Sequence, residues 1–220
     1  MYAQTQMKRI GRTITDFGTC DCKRLALCFT LALTSFTPLA FGLEEIAQLD
    51  PLPPMARDNR EVGWEWHFID QQGLPGHMRL IAVDSTNASY TRTDGCHWTR
   101  PIKGFAPAQE WSGCPSSGTS TVSLDSVSIW PLEVGKTFEW SMSGRSTLIK
   151  RRWNGYRRCE VLPSVRVKTV LGEFDTHKVR CKERWGTRTW WLSPEVGTAI
   201  AYKQKTRRGT VLQEMIELKP

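Results

Sequence analysis

The sequence predicts an all-β fold: one antiparallel sheet assembly of about ten strands, either a β-sandwich or a curved, partly closed barrel. The first supporting observation is that apolar and polar residues alternate in many segments between residues 61 and 220. The second is that Gly, Pro, Asn and Asp separate these segments at short intervals. The third is that the sequence shows little helical periodicity. We expect only a helical signal segment at the N-terminus and one helical turn near residues 44–48.

The first half of the domain opens with a clear strand. Trp64-Glu65-Trp66-His67-Phe68 alternates with period two, so Trp64, Trp66 and Phe68 should share the face that points to the core. Further strands are predicted at residues 77–83, 88–92 and 122–130, with a long Pro- and Gly-rich loop at residues 99–120.

The second half shows the strongest alternation. Strands are predicted at residues 136–142, 147–152, 156–162, 174–185, 187–193, 198–203 and 210–217. Val165 and Val167 are expected on the same face as Val179. That arrangement requires a loop with an odd number of residues between their strands.

The N-terminal 42 residues have the pattern of a secretory leader. The basic pair Lys23-Arg24 precedes an apolar run that closes on Ala40-Phe41-Gly42, with small residues at positions −3 and −1. The alternative is a retained membrane anchor, but a spanning helix needs about 20 apolar residues, and this run of roughly 18 contains several Thr residues and a Pro. We therefore predict an exported bacterial protein, periplasmic or extracellular, that reaches the membrane only through an uncleaved leader. The expected organisation is a signal peptide (1–42), a Pro-rich linker (43–60) and a single β-domain (61–220).

Removal of the leader changes both the charge and the cysteine count. The 220-residue chain has a formal net charge of +8, which falls to about +5 without residues 1–42. Four of the seven cysteines remain, an even number that indicates two disulfides in an exported protein. Of the three pairings, Cys96–Cys114 and Cys159–Cys181 are favoured because each closes a short local loop. A zinc site is the competing interpretation, but the chain has no Cys-x-x-Cys pair, so we expect neither a metal nor a cofactor.

The most distinctive segment for ligand binding is Trp190-Trp191. Successive strand residues point to opposite faces, so one of these two side chains points away from the core unless a second layer or a ligand covers it. The functional interpretation is the aromatic wall of an apolar pocket, and the alternative is a curved sheet whose two faces are covered by loops. The predicted ligand-binding residues join aromatic side chains to a basic rim: Trp64, Trp66, Trp190, Trp191, Arg184 and Arg188.

Two other functions are considered. Residues 145–191 contain thirteen Lys or Arg against four Asp or Glu. Such a segment suits an anionic polymer or surface, although alternation alone also produces a solvated charged face. Export argues against nucleic acid. A hydrolase is a distant third, with Asp94 and His97 as an acid–base pair, since no G-x-S-x-G or H-E-x-x-H motif occurs. His177 shares a face with Val179, so we interpret it as a core histidine.

Two segments carry a family resemblance. They are Val167-Lys168-Thr169 through Gly172-Glu173-Phe174-Asp175-Thr176-His177-Lys178-Val179, and Trp190-Trp191-Leu192-Ser193-Pro194-Glu195-Val196-Gly197. This pattern, over roughly residues 130–205, resembles exported bacterial β-domains of unknown function, some of which are similar to the curved-sheet lipoprotein-localisation (Lol) carriers. The resemblance implies a non-enzymatic envelope protein without catalytic residues. We expect it to bind an apolar or lipid-like ligand or to scaffold an envelope protein partner.

Overall fold

The computed structural model describes residues 42–57, 60–125 and 128–220, and this part of the chain forms thirteen β-strands and no helix. The predicted leader lies outside the described residues except for Gly42. No helix within the described ranges is long and apolar enough to cross a membrane. The strands are β1 (Glu44–Gln48), β2 (Glu65–Asp70), β3 (Pro75–Val83), β4 (Asn87–Arg92), β5 (His97–Pro101), β6 (Glu110–Ser112), β7 (Gly118–Leu124), β8 (Thr137–Ser146), β9 (Ile149–Thr169), β10 (Gly172–Glu183), β11 (Gly186–Ser193), β12 (Thr198–Thr206) and β13 (Gly209–Lys219).

All thirteen strands belong to one antiparallel sheet that closes on itself. The order from β9 through β13 continues across β2 to β8, and β8 pairs with β9 to close a ring of twelve strands. Strand β1 is the thirteenth and adds to the far end of β9. The prediction of an all-β antiparallel fold is confirmed, and the closed sheet is the curved alternative rather than the sandwich.

The N-terminal part of the described chain is packed on the sheet. The expected helical turn near residues 44–48 is wrong, because these residues pair with β9 as strand β1. Met55 is buried and bridges to Leu132 through backbone hydrogen bonds. The described part of the segment 43–60 therefore contributes both a strand and a core residue.

The prediction that Val165 and Val167 share a face with Val179 is wrong. A β-bulge in β9 places residues 163–164 opposite the single residue His177 of β10, and the extra residue reverses the side-chain alternation beyond it. The bulge lies where residue 163 is a proline, which has no N–H to donate to the ladder. The loop between β9 and β10 accordingly has two residues instead of an odd number.

The described chain contains two disulfides, Cys96–Cys114 and Cys159–Cys181, the same pairing that the sequence predicts. Cys159 and Cys181 are directly opposite each other on β9 and β10, and both are fully buried. Cys96–Cys114 ties the start of β5 to the segment after β6. The predicted long loop at 99–120 is thus divided by the short strand β6.

The strand register decides which side chains line the interior of the closed sheet. On β9 and β10, Cys159, Val161, Val179 and Cys181 share a face and belong to one buried apolar cluster. Arg157 lies on the same face, two residues before Cys159. The inward face of these strands is therefore apolar at one end and charged at the other.

Candidate functional site

The interior of the closed sheet contains a cavity of about 460 Å³. This volume falls within the roughly 300–1,000 Å³ of small-molecule sites. Its aromatic lining residues are Trp66, Phe68, Tyr90, Trp98, Phe105, Trp111, Trp130, Trp190 and Tyr202. Its basic lining residues apart from His67 are Arg57, Arg60, Arg92, Arg100, Arg157 and Arg188. Among the described residues, no Asp, Glu or Lys lines the cavity.

One wall of the cavity is a row of aromatic rings on β2, β4 and β5. The ring centroid of Tyr90 lies 6.3 Å from that of Trp66 and 5.5 Å from that of Trp98, which is stacked on it. The Arg100 guanidinium lies over the Tyr90 ring, 4.7 Å from its centroid. Burial opposes ionisation of Tyr90, but the charges of Arg100 and Arg60 outweigh it, so the pKa of this phenol lies below its ordinary value.

The opposite wall holds a buried charged cluster. Both Nε and Nη2 of Arg157 lie 2.5 Å from Glu183 Oε1, and Nη1 donates a hydrogen bond to the backbone oxygen of Phe105 at 2.6 Å. The side chains of Arg157 and Glu183 are each 7% exposed. Burial lowers the pKa of Arg157 to about 10, although Glu183 opposes the shift; the charge of Arg188 adds to it.

Arg188 extends this cluster into the cavity. Its Nε lies 2.9 Å from Glu183 Oε1 without meeting the geometry of a hydrogen bond, and its Nη1 donates to the Tyr202 hydroxyl at 2.8 Å. That hydroxyl donates in turn to Gln204 Oε1 at 2.9 Å. Burial raises the pKa of Tyr202, although Arg188 and Arg157 oppose the shift. One carboxylate thus faces two guanidinium groups.

Three of the six predicted ligand-binding residues line the cavity, namely Trp66, Trp190 and Arg188. Trp64 packs against the core beside Trp66, with 6.2 Å between ring centroids. Arg184 is exposed and, like Trp64, is not a lining residue. The basic rim expected from the sequence is therefore formed by Arg188 together with other arginines.

Trp191 lies on the opposite sheet face from Trp190, as adjacent strand residues must. It is nevertheless buried, at 3% exposure. Its indole Nε1 donates a hydrogen bond to Glu45 Oε1 of β1 at 3.0 Å, and Lys178 Nζ lies 5.9 Å from its ring centroid. Strand β1 provides cover for this side chain, so Trp191 needs no ligand to shield it.

Sequence reasoning did not identify several lining residues, including Tyr90, Arg100 and Arg157. For Arg157 a signal was present. It falls at even spacing from Cys159 and Val161, which places a charge on a core-facing position. Arg100 lies in the segment predicted as a loop at residues 99–120, so strand parity was not applied to it, although β5 places it two residues after Trp98.

The acid–base pair of the hydrolase hypothesis is not assembled. Asp94 accepts hydrogen bonds from Arg92 Nε and Nη2, and those bonds, against the effect of burial, hold the pKa of its carboxyl below the usual range. No hydrogen bond between Asp94 and His97 is present in the described part of the chain. Nor do the described residues contain a group of three or more His, Cys, Asp or Glu that could hold a metal ion.

Many cations of the basic segment are paired on the sheet surface. They include Arg158 with Glu139, Arg166 with Asp175, Arg180 with Glu160 and Lys178 with Glu45. His177 is fully buried, and its Nε2 lies 3.1 Å from the backbone oxygen of Pro53. These outer charges are thus matched by neighbouring carboxylates, whereas Arg157 and Arg188 share the single carboxylate of Glu183.

The chain is similar in structure to the hypothetical lipoprotein YmcC from Escherichia coli, with 10% identity and a TM-score of 0.44 over 72% of this chain and 85% of that chain. It is also similar to a Bacteroides fragilis protein with a YmcC-like fold, with 10% identity and a TM-score of 0.39 over 76% of this chain and all of that one. No protein-family model matches the chain, and no curated protein matches it significantly. Neither structure is described as a Lol carrier, so that resemblance stays a prediction.

Proposed function

We propose that this chain is an exported, non-enzymatic envelope protein that binds an apolar or lipid-like ligand inside its closed sheet. The observation that carries this proposal is the cavity of about 460 Å³ with nine aromatic side chains in its lining. Large apolar cavities are uncommon in packed interiors, and aromatic walls provide most of the contact area in small-molecule sites.

Two features of the chain agree with an exported protein. The leader pattern at residues 1–42 predicts secretion. The two disulfides suit an oxidising compartment such as the periplasm or the exterior. The volume favours a small ligand or a single acyl chain over a two-chain lipid. A protein partner for scaffolding remains a prediction that no contact of the described residues supports or opposes.

The proposal is tested by titrating the purified protein with the neutral apolar fluorophore N-phenyl-1-naphthylamine. We expect saturable binding with a fluorescence increase, and displacement by decanol. Quenching of protein tryptophan fluorescence should accompany binding because Trp66, Trp98 and Trp190 line the cavity.

A matched pair of variants locates the binding. Ala199 lines the cavity on β12, so Ala199→Phe should fill part of it and weaken fluorophore binding by about tenfold. Ala82 is exposed on β3 and is not a lining residue, so Ala82→Phe should leave binding unchanged. Both variants are first compared with the wild type by thermal unfolding. Absence of saturable binding in the wild type, or equal effects of the two substitutions, would contradict the proposal.

A further inference from the structure

We infer that the ligand carries a single anionic group, a carboxylate or a phosphate, and that Arg188 is the residue that binds it. This inference rests on the proposed function, because it assigns a chemical class to the ligand of the same cavity. The ligand is then an anionic amphiphile whose apolar part lies against the aromatic wall. Its charged end lies against the cluster of Arg157, Glu183 and Arg188.

The lining of the cavity has an excess of positive charge. Arg157 and Arg188 share the single carboxylate of Glu183, so the cluster has one positive charge in excess. Arg100 adds another on the opposite wall, and no acidic residue in the described ranges lines the cavity. Buried charges are stable only when paired, so a bound anion would complete the set.

The guanidinium groups of Arg157 and Arg188 differ in the N–H donors that are available to a ligand. All three side-chain nitrogens of Arg157 already contact Glu183 or the Phe105 carbonyl. Arg188 is different: its Nε is in ion-pair contact with Glu183, but its Nη2 forms no hydrogen bond with another described residue. Its side chain is 29% exposed and lines the cavity. The Nη2 nitrogen carries two N–H groups, and guanidinium donors of this kind suit a carboxylate or phosphate.

Arg188 is held in place by a hydrogen-bonded tyrosine and lies beside aromatic rings. The Tyr202 hydroxyl accepts a hydrogen bond from Nη1 and donates one to Gln204 Oε1, and these bonds hold the guanidinium in one orientation. Trp190 is its neighbour on the same face of β11 and lies 5.4 Å from Tyr202 between ring centroids. The anion site is thus bordered by rings that can pack on the adjoining methylene groups of an amphiphile.

The test compares three ligands with one chain length: decanoate, decanol and decylammonium, each below its micelle concentration and each measured by displacement of N-phenyl-1-naphthylamine. Decanoate should bind at least about tenfold more tightly than decanol, since a hydrogen bond to a charged group is worth roughly 1.5–3 kcal/mol. Decylammonium should bind more weakly than either. Inorganic phosphate alone should neither displace the fluorophore nor compete with decanoate.

Variants assign the effect to Arg188. Arg188→Gln should reduce decanoate affinity to that of decanol while leaving decanol affinity unchanged, and Arg188→Lys should retain part of the preference. Arg184→Gln is the matched control, because Arg184 is exposed and outside the lining. Decanol binding by Arg188→Gln also shows that the variant is folded with an intact cavity.

The outcomes separate the two proposals. If neither decanol nor decanoate binds the wild type, the proposed function fails. If both bind equally well, or if Arg188→Gln keeps the full preference for decanoate, the cavity still binds apolar ligands and the anion inference alone is overturned. Competition by free phosphate would likewise overturn the amphiphile class.

Discussion

Replacement of Glu183 by Gln should destabilise the fold far more than replacement of Arg157 by Met. Burial holds the pKa of Arg157 at about 10 against an ordinary value of 12.5. Since one pKa unit corresponds to about 1.4 kcal/mol, charging Arg157 inside the sheet costs about 3 kcal/mol even with Glu183 present. Glu183→Gln removes the single carboxylate and leaves two guanidinium groups near each other, for which a loss of about 3–5 kcal/mol is expected.

Arg157→Met acts in the opposite direction on the same cluster. It removes the buried charge that costs free energy, and Glu183 keeps Arg188 as its ion-pair partner. The Phe105 carbonyl loses its donor, which costs about 1 kcal/mol. A flexible Met fills much of the vacated volume. The net change in the free energy of unfolding should therefore be about 1 kcal/mol or less in either direction.

Urea denaturation at pH 7.5, followed by far-UV circular dichroism, measures both variants. Glu160→Gln is the control, because Glu160 is 48% exposed in its pair with Arg180 and should contribute under about 1 kcal/mol. Equal destabilisation by Arg157→Met and Glu183→Gln would contradict this prediction, since the pair would then be a net source of stability. A Glu183→Gln variant as stable as the exposed control would contradict it as well.

Two further predictions concern the buried core. Replacing both cysteines of the Cys159–Cys181 disulfide by Ala should lower the free energy of unfolding by about 3 kcal/mol, from the chain entropy of a loop with separation 22. The urea midpoint under oxidising conditions checks this, and an unchanged midpoint would contradict it. Burial, opposed by the hydrogen bond to the Pro53 carbonyl, lowers the pKa of His177 below its ordinary 6.5. The unfolded chain therefore binds more protons as pH falls below about 6.5, and stability is lost there. His177→Gln should reduce the difference between urea midpoints at pH 7.5 and pH 5, and a difference of wild-type size would argue against this role.

The strands were predictable because alternation is a local property. Residues 65–70, 172–183 and 186–193 form strands close to the expected bounds, since each buries one face and the register of a half-buried strand is strongly specified. Closure of the sheet was not predictable in the same way. It depends on β8 and β9 meeting across the ring through pairs such as Phe138 with Cys159, which no local pattern encodes.

The bulge at residues 163–164 explains why the predicted face of Val165 and Val167 was wrong although their alternation was predicted correctly. Val165 and Val167 share a face with each other, as expected. They do not share the face of Val179, because Pro163 and Ser164 together lie opposite a single residue of β10 and so reverse the alternation. Pro163 directly follows the predicted strand at residues 156–162, and it was the available signal, since prolines in sheets occur at edges and bulges.

The candidate site was only partly predictable for a related reason. Trp190 was predicted because it adjoins Trp191 and adjacent strand residues point to opposite faces, and Trp66 because its strand alternates with an aromatic face. Arg157 lies in the basic segment 145–191, for which charge alternation predicts a solvated face when the sheet is open. In a closed sheet the same alternation can place charges inside, and the parity that Arg157 shares with Cys159 then becomes the informative feature.

The charged residues on the outer face of the sheet and those inside it differ in what their charges cost the fold. Outside, arginines such as Arg166 and Arg180 have neighbouring carboxylates and remain hydrated, so their charges cost the fold little. Inside, Arg157 is charged at a net cost of about 3 kcal/mol, and apolar residues of similar volume often serve stability as well or better. Stability therefore does not account for a buried cluster with one positive charge in excess. The inferred anion would bind Arg188 and bring to the cluster the second negative charge that Glu183 alone does not supply.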